Sequence, residues 1–244
     1  LAFNFRFVKA GWDAASRRAA VDESIAANAA VGAPTTWVTD NHDTTRSVTR
    51  YGADVTLGGD YVPDVAQERA LDPEAFARGT RRARAMSVLL LALPGAAYVY
   101  AGQELGLPEV EDLPLEVLQD PAVARSGGRV RGRDGCRVPL PWSGVRPPFG
   151  FAADDAATWL PQPEGWASLT VERQEADPAS MLALYRSVLA LRRAEPAMRG
   201  GSVTWEAPGP DLLVLRRRAA GGRDLKVVVN LTEEPVELPA GEVL

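Results

Sequence analysis

Thr35-Thr36-Trp37-Val38-Thr39-Asp40-Asn41-His42-Asp43 starts as an apolar, β-favouring run and ends on an amide, an imidazole and a carboxylate, with Arg46 three residues further on. Parallel α/β folds bind ligands at the carboxyl ends of their strands, so the change of character at Asn41 marks where chemistry belongs: an acid, an imidazole and a cation at one strand end. His42 is the only histidine in the 244-residue chain. Upstream, Trp12 to Ala30 is rich in alanine and places Val21, Ile25 and Ala29 at helical spacing, until Gly32 and Pro34 end it. Leu1 to Val8 alternates apolar and polar residues, which predicts a strand. Strand, helix, strand is the rhythm of a parallel sheet.

Downstream, Tyr51 to Pro73 reads as loop, with Gly58-Gly59 and Pro63. Asp72 is a natural cap for a helix with Pro73 in its first turn, running to about Leu93 and stopped by Pro94-Gly95. A strand, Ala96 to Tyr100, leads into Gly102-Gln103-Glu104-Leu105-Gly106. Residues 106–176 form a loop rich in proline and glycine, too long to be an idle connection; Trp142, Trp159 and Trp166 predict that it is packed. Asp177-Pro178 opens a further helix, with Met181, Leu184, Tyr185, Val188 and Leu189 on one face, ending before Pro196. From Gly201 the pattern changes to short strands, Val203–Trp205, Leu212–Leu215, Leu225–Asn230 and Val236–Leu238, which predicts an all-β domain. The domain division is 1–198 and 199–244. The chain starts at Leu1 inside a strand-like run and stops after Glu242-Val243-Leu244, another apparent strand start, so it reads as an internal piece of a longer protein.

With 46% hydrophobic and 24% charged residues the composition is that of an ordinary globular protein. A net charge of −5 argues against nucleic acid as a partner, because phosphate binding needs a basic surface. Only Lys9 and Lys226 are lysines; the Arg81-Arg82 and Arg216-Arg217-Arg218 runs read as solvated faces of an arginine-rich sequence. The longest apolar run, Met86 to Leu93, falls short of the ~18 residues of a membrane span, and no membrane partner is expected. The single cysteine, Cys136, rules out an internal disulfide and fits a reducing compartment. The cytoplasm is the expected location. Cys136 itself reads as an ordinary loop residue.

A carboxylate buried beside a histidine and an arginine can stabilise developing positive charge, hold a pair of substrate hydroxyls, or form a structural ion pair. One histidine cannot build a metal site, and no G-x-S-x-G elbow supports a Ser-His-Asp reading. Asn41-His42-Asp43-x-x-Arg46, followed by Arg50-Tyr51-Gly52, resembles the fourth conserved region of the α-amylase family (glycoside hydrolase family 13), in particular its α-glucosidase and oligo-1,6-glucosidase branch. Gly95-x-x-x-x-Tyr100-x-Gly102-x-Glu104 is similar to the family's last conserved region, departing from it at Ala97, where the family usually has proline. Gly132-Arg133-Asp134-Gly135-Cys136-Arg137-Val138-Pro139-Leu140-Pro141-Trp142 resembles the Arg-Asp-x-x-Arg-x-Pro-x-x-Trp segment of α-glucosidases. Phe3-Asn4-Phe5 and Trp159-Leu160-Pro161 also have family counterparts. The matches run in order along nearly the whole chain.

The resemblance implies strands six to eight of a TIM (β/α)8 barrel followed by an incomplete C-terminal β-domain. It implies a retaining α-glucosidase that takes terminal α-linked glucose from malto- or isomalto-oligosaccharides or sucrose, with no cofactor. The nucleophile and the acid/base come from strands four and five in the family and lie upstream of Leu1. Asp43 would be the transition-state stabiliser, and His42 and Arg133 would bind substrate hydroxyls. Asn41, Arg46 and Glu104 would support them, with Arg46 holding the strand-end loop. Arg133, Asp134 and Arg137 also fit a salt-bridge network internal to their loop. Two further readings stay open: a relative that transfers glucose, such as a trehalose synthase or sucrose isomerase, and a non-catalytic relative.

Overall fold

The computed structural model describes residues 3–53, 72–154, 156–206, 209–238 and 240–243. The strand expected over Leu1–Val8 is corrected from residue 5 onward: Phe5–Lys9 is a short helix, α1. Asn4 is the reason, since its side-chain oxygen accepts the Phe7 N–H at 3.1 Å and caps the first turn. The turn is then locked from within, because the buried Arg17 donates to the Phe7 carbonyl at 2.9 Å. Asp13 caps α2 (Ala14–Ala29) through the Ser16 N–H.

The strand that opens the sequence reading is β1, Thr36–Trp37. It pairs in parallel with β2, Ala96–Ala97, Thr36 opposite Ala96. The crossover between them holds α3 (Ser47–Gly52) and α4 (Pro73–Ala92). Tyr51 and Gly52, expected in a loop, finish α3, and the rest of that expected loop, residues 54–71, lies outside the described residues. Asp72 caps α4 through the Ala75 N–H at 2.7 Å, with Pro73 in the first turn. Gly95 has φ +100, and a Cβ there would collide with the Thr35 carbonyl oxygen, so the entry to β2 requires glycine.

The described residues of 106–176 carry short elements: α5 (Pro121–Arg125), α6 (Val171–Glu175) and 3-10 turns. They nevertheless build their own apolar cluster with their flanks, among them Leu105, Leu107, Val138, Phe149, Leu160 and Trp166. The tryptophans contribute unequally: Trp166 is buried, whereas Trp142 and Trp159 are exposed. The next helix, α7 (Met181–Ala194), is capped by Ser180 and not by Asp177, because the Ser180 hydroxyl accepts the Ala183 N–H. Asp177 instead closes a turn with the Ala179 N–H.

After α8 (Pro196–Gly200), strands β3 (Ser202–Glu206), β4 (Leu212–Arg218) and β5 (Leu225–Asn230) form an antiparallel sheet in sequence order. Val236–Leu238, Glu242 and Val243 are not strand. Leu213, Leu215, Val227 and Val229 pack into one core with Trp37, Leu89 and Tyr185, so the sheet is joined to the parallel part by apolar burial. The expectation that Arg216-Arg217-Arg218 is a solvated face fails at Arg217. This side chain is fully buried and donates to the carbonyl of Ala92, the last residue of α4, at 2.8 Å and to that of Ala197, within α8, at 2.7 Å. Strand alternation turns it inward while its neighbours point out. Among the described residues no helix is long and apolar enough to cross a membrane.

Candidate functional site

β1 ends at Trp37, and five residues on the chain turns sharply. Asn41 is buried and its side-chain oxygen accepts the Asp43 N–H at 2.8 Å, a local turn that fixes the direction of the next side chain. His42 and Asp43 therefore emerge together, with His42 Nε2 3.5 Å from Asp43 Oδ2. The His42 ring is also met edge-on by Phe3, which makes a second edge-to-face contact with Tyr98 just beyond β2.

The cation that meets Asp43 is Arg133, whose Nη1 donates to Asp43 Oδ1 at 2.6 Å across 90 residues of sequence. Arg137 joins them, with Nη2 3.4 Å from the same oxygen and Nε donating to the His42 carbonyl at 3.0 Å. Two expectations need correction here. Asp43 is not buried; its side chain is 36% exposed and Arg133's 41%. Nor is Arg46 the cation at that carboxylate. It is buried and points away, donating to the carbonyls of Ala101 at 3.0 Å and Cys136 at 2.8 Å with its guanidinium over the Tyr100 ring. Arg46 thus ties the strand-end loop to the end of β2 and to the turn that carries Arg133. Glu104 accepts the Gly102 N–H at 2.9 Å, bracing the turn after β2.

An ion pair this exposed contributes only about 0–1 kcal/mol to folding. What holds Arg133 in place is a different carboxylate, Asp120, whose side chain is entirely buried. Its Oδ2 accepts Arg133 Nε at 2.5 Å and the Arg133 backbone N–H at 3.0 Å. Burial pushes the Asp120 carboxyl up, but hydrogen bonds from Arg133 and from the Ala122 N–H outweigh it and hold it down to about 2. Asp134 supports this loop from behind: its Oδ2 accepts the N–H groups of Gln119 and Asp120. Within the loop Arg137 lies 3.7 Å from Asp134, while Arg133 reaches outward.

Sequence reasoning missed Asp120, Gln103 and Glu109. Asp120-Pro121 carries a visible helix-start signal, and Asp120 does cap α5, but nothing in the sequence says that its second oxygen serves Arg133. Gln103 links the two strand ends by donating to Thr39 Oγ1 at 2.5 Å. Glu109 has no sequence signal. Cys136 is buried, and burial pushes its thiol up to about 12, which leaves it unreactive.

His42 and Asp43 follow β1 and meet Arg133 from the long segment after β2, the placement that parallel α/β folds use for ligand sites. The alpha amylase catalytic-domain family matches residues 9–201, and a domain of unknown function, DUF3459, matches residues 200–244. The chain belongs to the alpha-amylase family. A probable alpha-glucosidase of Rhizobium meliloti (strain 1021) is 34% identical over 205 residues, covering 83% of this chain and 32% of the relative. Maltase 1 of Drosophila virilis is 28% identical over 199 residues, covering 80% and 27%. Among solved structures, the alpha-glucosyl transfer enzyme XgtA superposes with a TM-score of 0.76 at 33% identity, over 98% of this chain and 40% of that one. The chain spans about a third of the length of the curated relatives it matches.

Proposed function

We propose that this chain is the C-terminal part of a retaining α-glucosidase that removes terminal α-linked glucose from malto- or isomalto-oligosaccharides or from sucrose. The single observation that carries the reading is the Asp43–Arg133 contact at 2.6 Å with His42 beside it, at strand ends of an alpha-amylase catalytic domain. The paired anion and planar donor fork match the alternating donors and acceptors of adjacent sugar hydroxyls. In the ligand-bound state each would exchange part of its hold on the other for a hydroxyl.

Asp43 then stabilises the oxocarbenium-like transition state, and His42 donates to a hydroxyl of the same ring. Nucleophile and acid/base are contributed by the portion of the longer protein outside these 244 residues. The names of the probable alpha-glucosidase and the maltase favour hydrolysis. An oligosaccharide is the expected partner, no cofactor is required, and the cytoplasm suits the single thiol.

The test is to give the full-length protein p-nitrophenyl α-D-glucoside and follow the anomer released. Release of α-glucose supports the reading; β-glucose, or no release from any α-glucoside, overturns it. A second reading, glucosyl transfer, is favoured by the likeness to an alpha-glucosyl transfer enzyme at 33% identity. The two differ in whether water or a sugar hydroxyl takes the glucosyl group. Products formed with excess maltose present separate them: free glucose alone for hydrolysis, lengthened saccharides for transfer.

A further inference from the structure

Glu109 lies just past the turn after β2 and bonds to the segment that follows Asp43. Its Oε2 accepts the Arg46 backbone N–H at 2.9 Å, at the start of α3 and three residues from Asp43. Its own N–H donates to Thr49 Oγ1 at 2.8 Å, one turn into the same helix. On the other side its Oε1 sits so close to Gly135 that a Cβ there would lie 2.7 Å away, and the Val110 N–H donates to the Gly135 carbonyl at 3.2 Å. Gly135 is two residues from Arg133. One residue therefore stands between the segment that delivers the carboxylate and the segment that delivers the guanidinium, whose approach only a glycine permits.

We infer that Glu109 is a positioning residue for the glucosyl site, clamping the Asp43 loop and the Arg133 loop at a fixed separation; this rests on the functional reading above. The anchored Arg46 extends the clamp, since its guanidinium reaches the carbonyls of Ala101 and Cys136 on the far side. Burial, only partly offset by the Arg46 N–H, pushes the Glu109 carboxyl up to about 8. A neutral acid accepts the N–H without leaving an unpaired charge between the two segments. Gln keeps that acceptor, whereas Met keeps the bulk and loses it.

The experiment compares Glu109→Met and Glu109→Gln in the full-length protein by crystal structure and by kinetics on p-nitrophenyl α-D-glucoside. Glu109→Met is expected to break the Asp43–Arg133 hydrogen bond and to lower kcat ~10- to 100-fold, the scale of a misplacement of about 1 Å, with the smaller change in KM. Glu109→Gln is expected to preserve both. An intact pair and a kcat within about threefold in Glu109→Met would overturn the proposal, because a merely structural residue shifts the melting temperature and not kcat. Should Glu109→Met not fold, Thr49→Val, which frees the Glu109 backbone from α3, gives the same reading with the same two outcomes. The crystallographic arm stands even if the protein proves to act on no α-glucoside, so the two failures are distinguishable.

Discussion

Asp43 is partly exposed and Asp120 is buried, yet both carboxylates meet Arg133. The division follows from their partners. Asp120 is desolvated and spends its lone pairs on Arg133 and the start of α5, so it fixes a geometry; Asp43 keeps a solvent-facing oxygen that a ligand can use. Asp120 is held at about 2, below the ~3.9 of an unfolded aspartate, so its stabilisation is complete above about pH 4 and is lost as pH falls through 2. Denaturant unfolding of Asp120→Asn against the parent is expected to show a gap that closes between pH 4 and 2; a gap constant with pH would contradict the assignment. Glu109 has the opposite sign. Its carboxyl is raised from 4.5 to about 8, so the folded state binds the extra proton, and stability falls as pH rises through that window. Glu109→Gln is expected to flatten this decline in the same unfolding series. Sequence exposed Asn41, His42, Asp43 and Arg133 because they lie in contiguous motifs. It hid Asp120 and Glu109 because the role of each carboxylate is defined by what folds around it, and those partners are 13 and 63 residues away.

At the level of elements, capping chemistry and apolar spacing made α2, α4, β3, β4 and β5 legible. The failures share a cause. Phe5–Lys9 alternates like a strand, yet a local side-chain cap from Asn4 decides for helix; Asp177-Pro178 looks like a helix start, yet Ser180 offers the better-placed acceptor. Such contests between neighbouring polar side chains are settled by geometry that periodicity does not record. Composition alone makes Arg217 part of a solvated charge run, whereas strand alternation sends every second side chain inward. Replacing Arg217 with Met strips donors from the Ala92 and Ala197 carbonyls, and should cost roughly 2–4 kcal/mol. Arg81→Ala, on an exposed pair with Glu233, should change stability by about 0.5 kcal/mol or less. Thermal unfolding of the two variants side by side checks this; equal shifts would contradict the buried role.

The described residues pair a two-stranded parallel piece with a three-stranded antiparallel sheet over one shared core. Closed barrels have no free strand edges, so a piece of one separated from the rest exposes unpaired edges and apolar surface. The 244-residue chain made alone is expected to be inactive on α-glucosides and to aggregate, which a p-nitrophenol release assay and light scattering would check. Fold class was readable because three spaced motifs fell in order; the meeting of residues 43, 120 and 133 required the chain to be folded. The central claim is that the carboxylate of Asp43 acts on the reacting glucose. Its most direct test is kcat for Asp43→Asn in the full-length protein, with folding verified by circular dichroism. A loss of roughly 10²-fold or more is expected, since the substitution removes charge aimed at the transition state, while a kcat close to that of the parent would contradict the claim and leave the Asp43–Arg133 contact a structural ion pair.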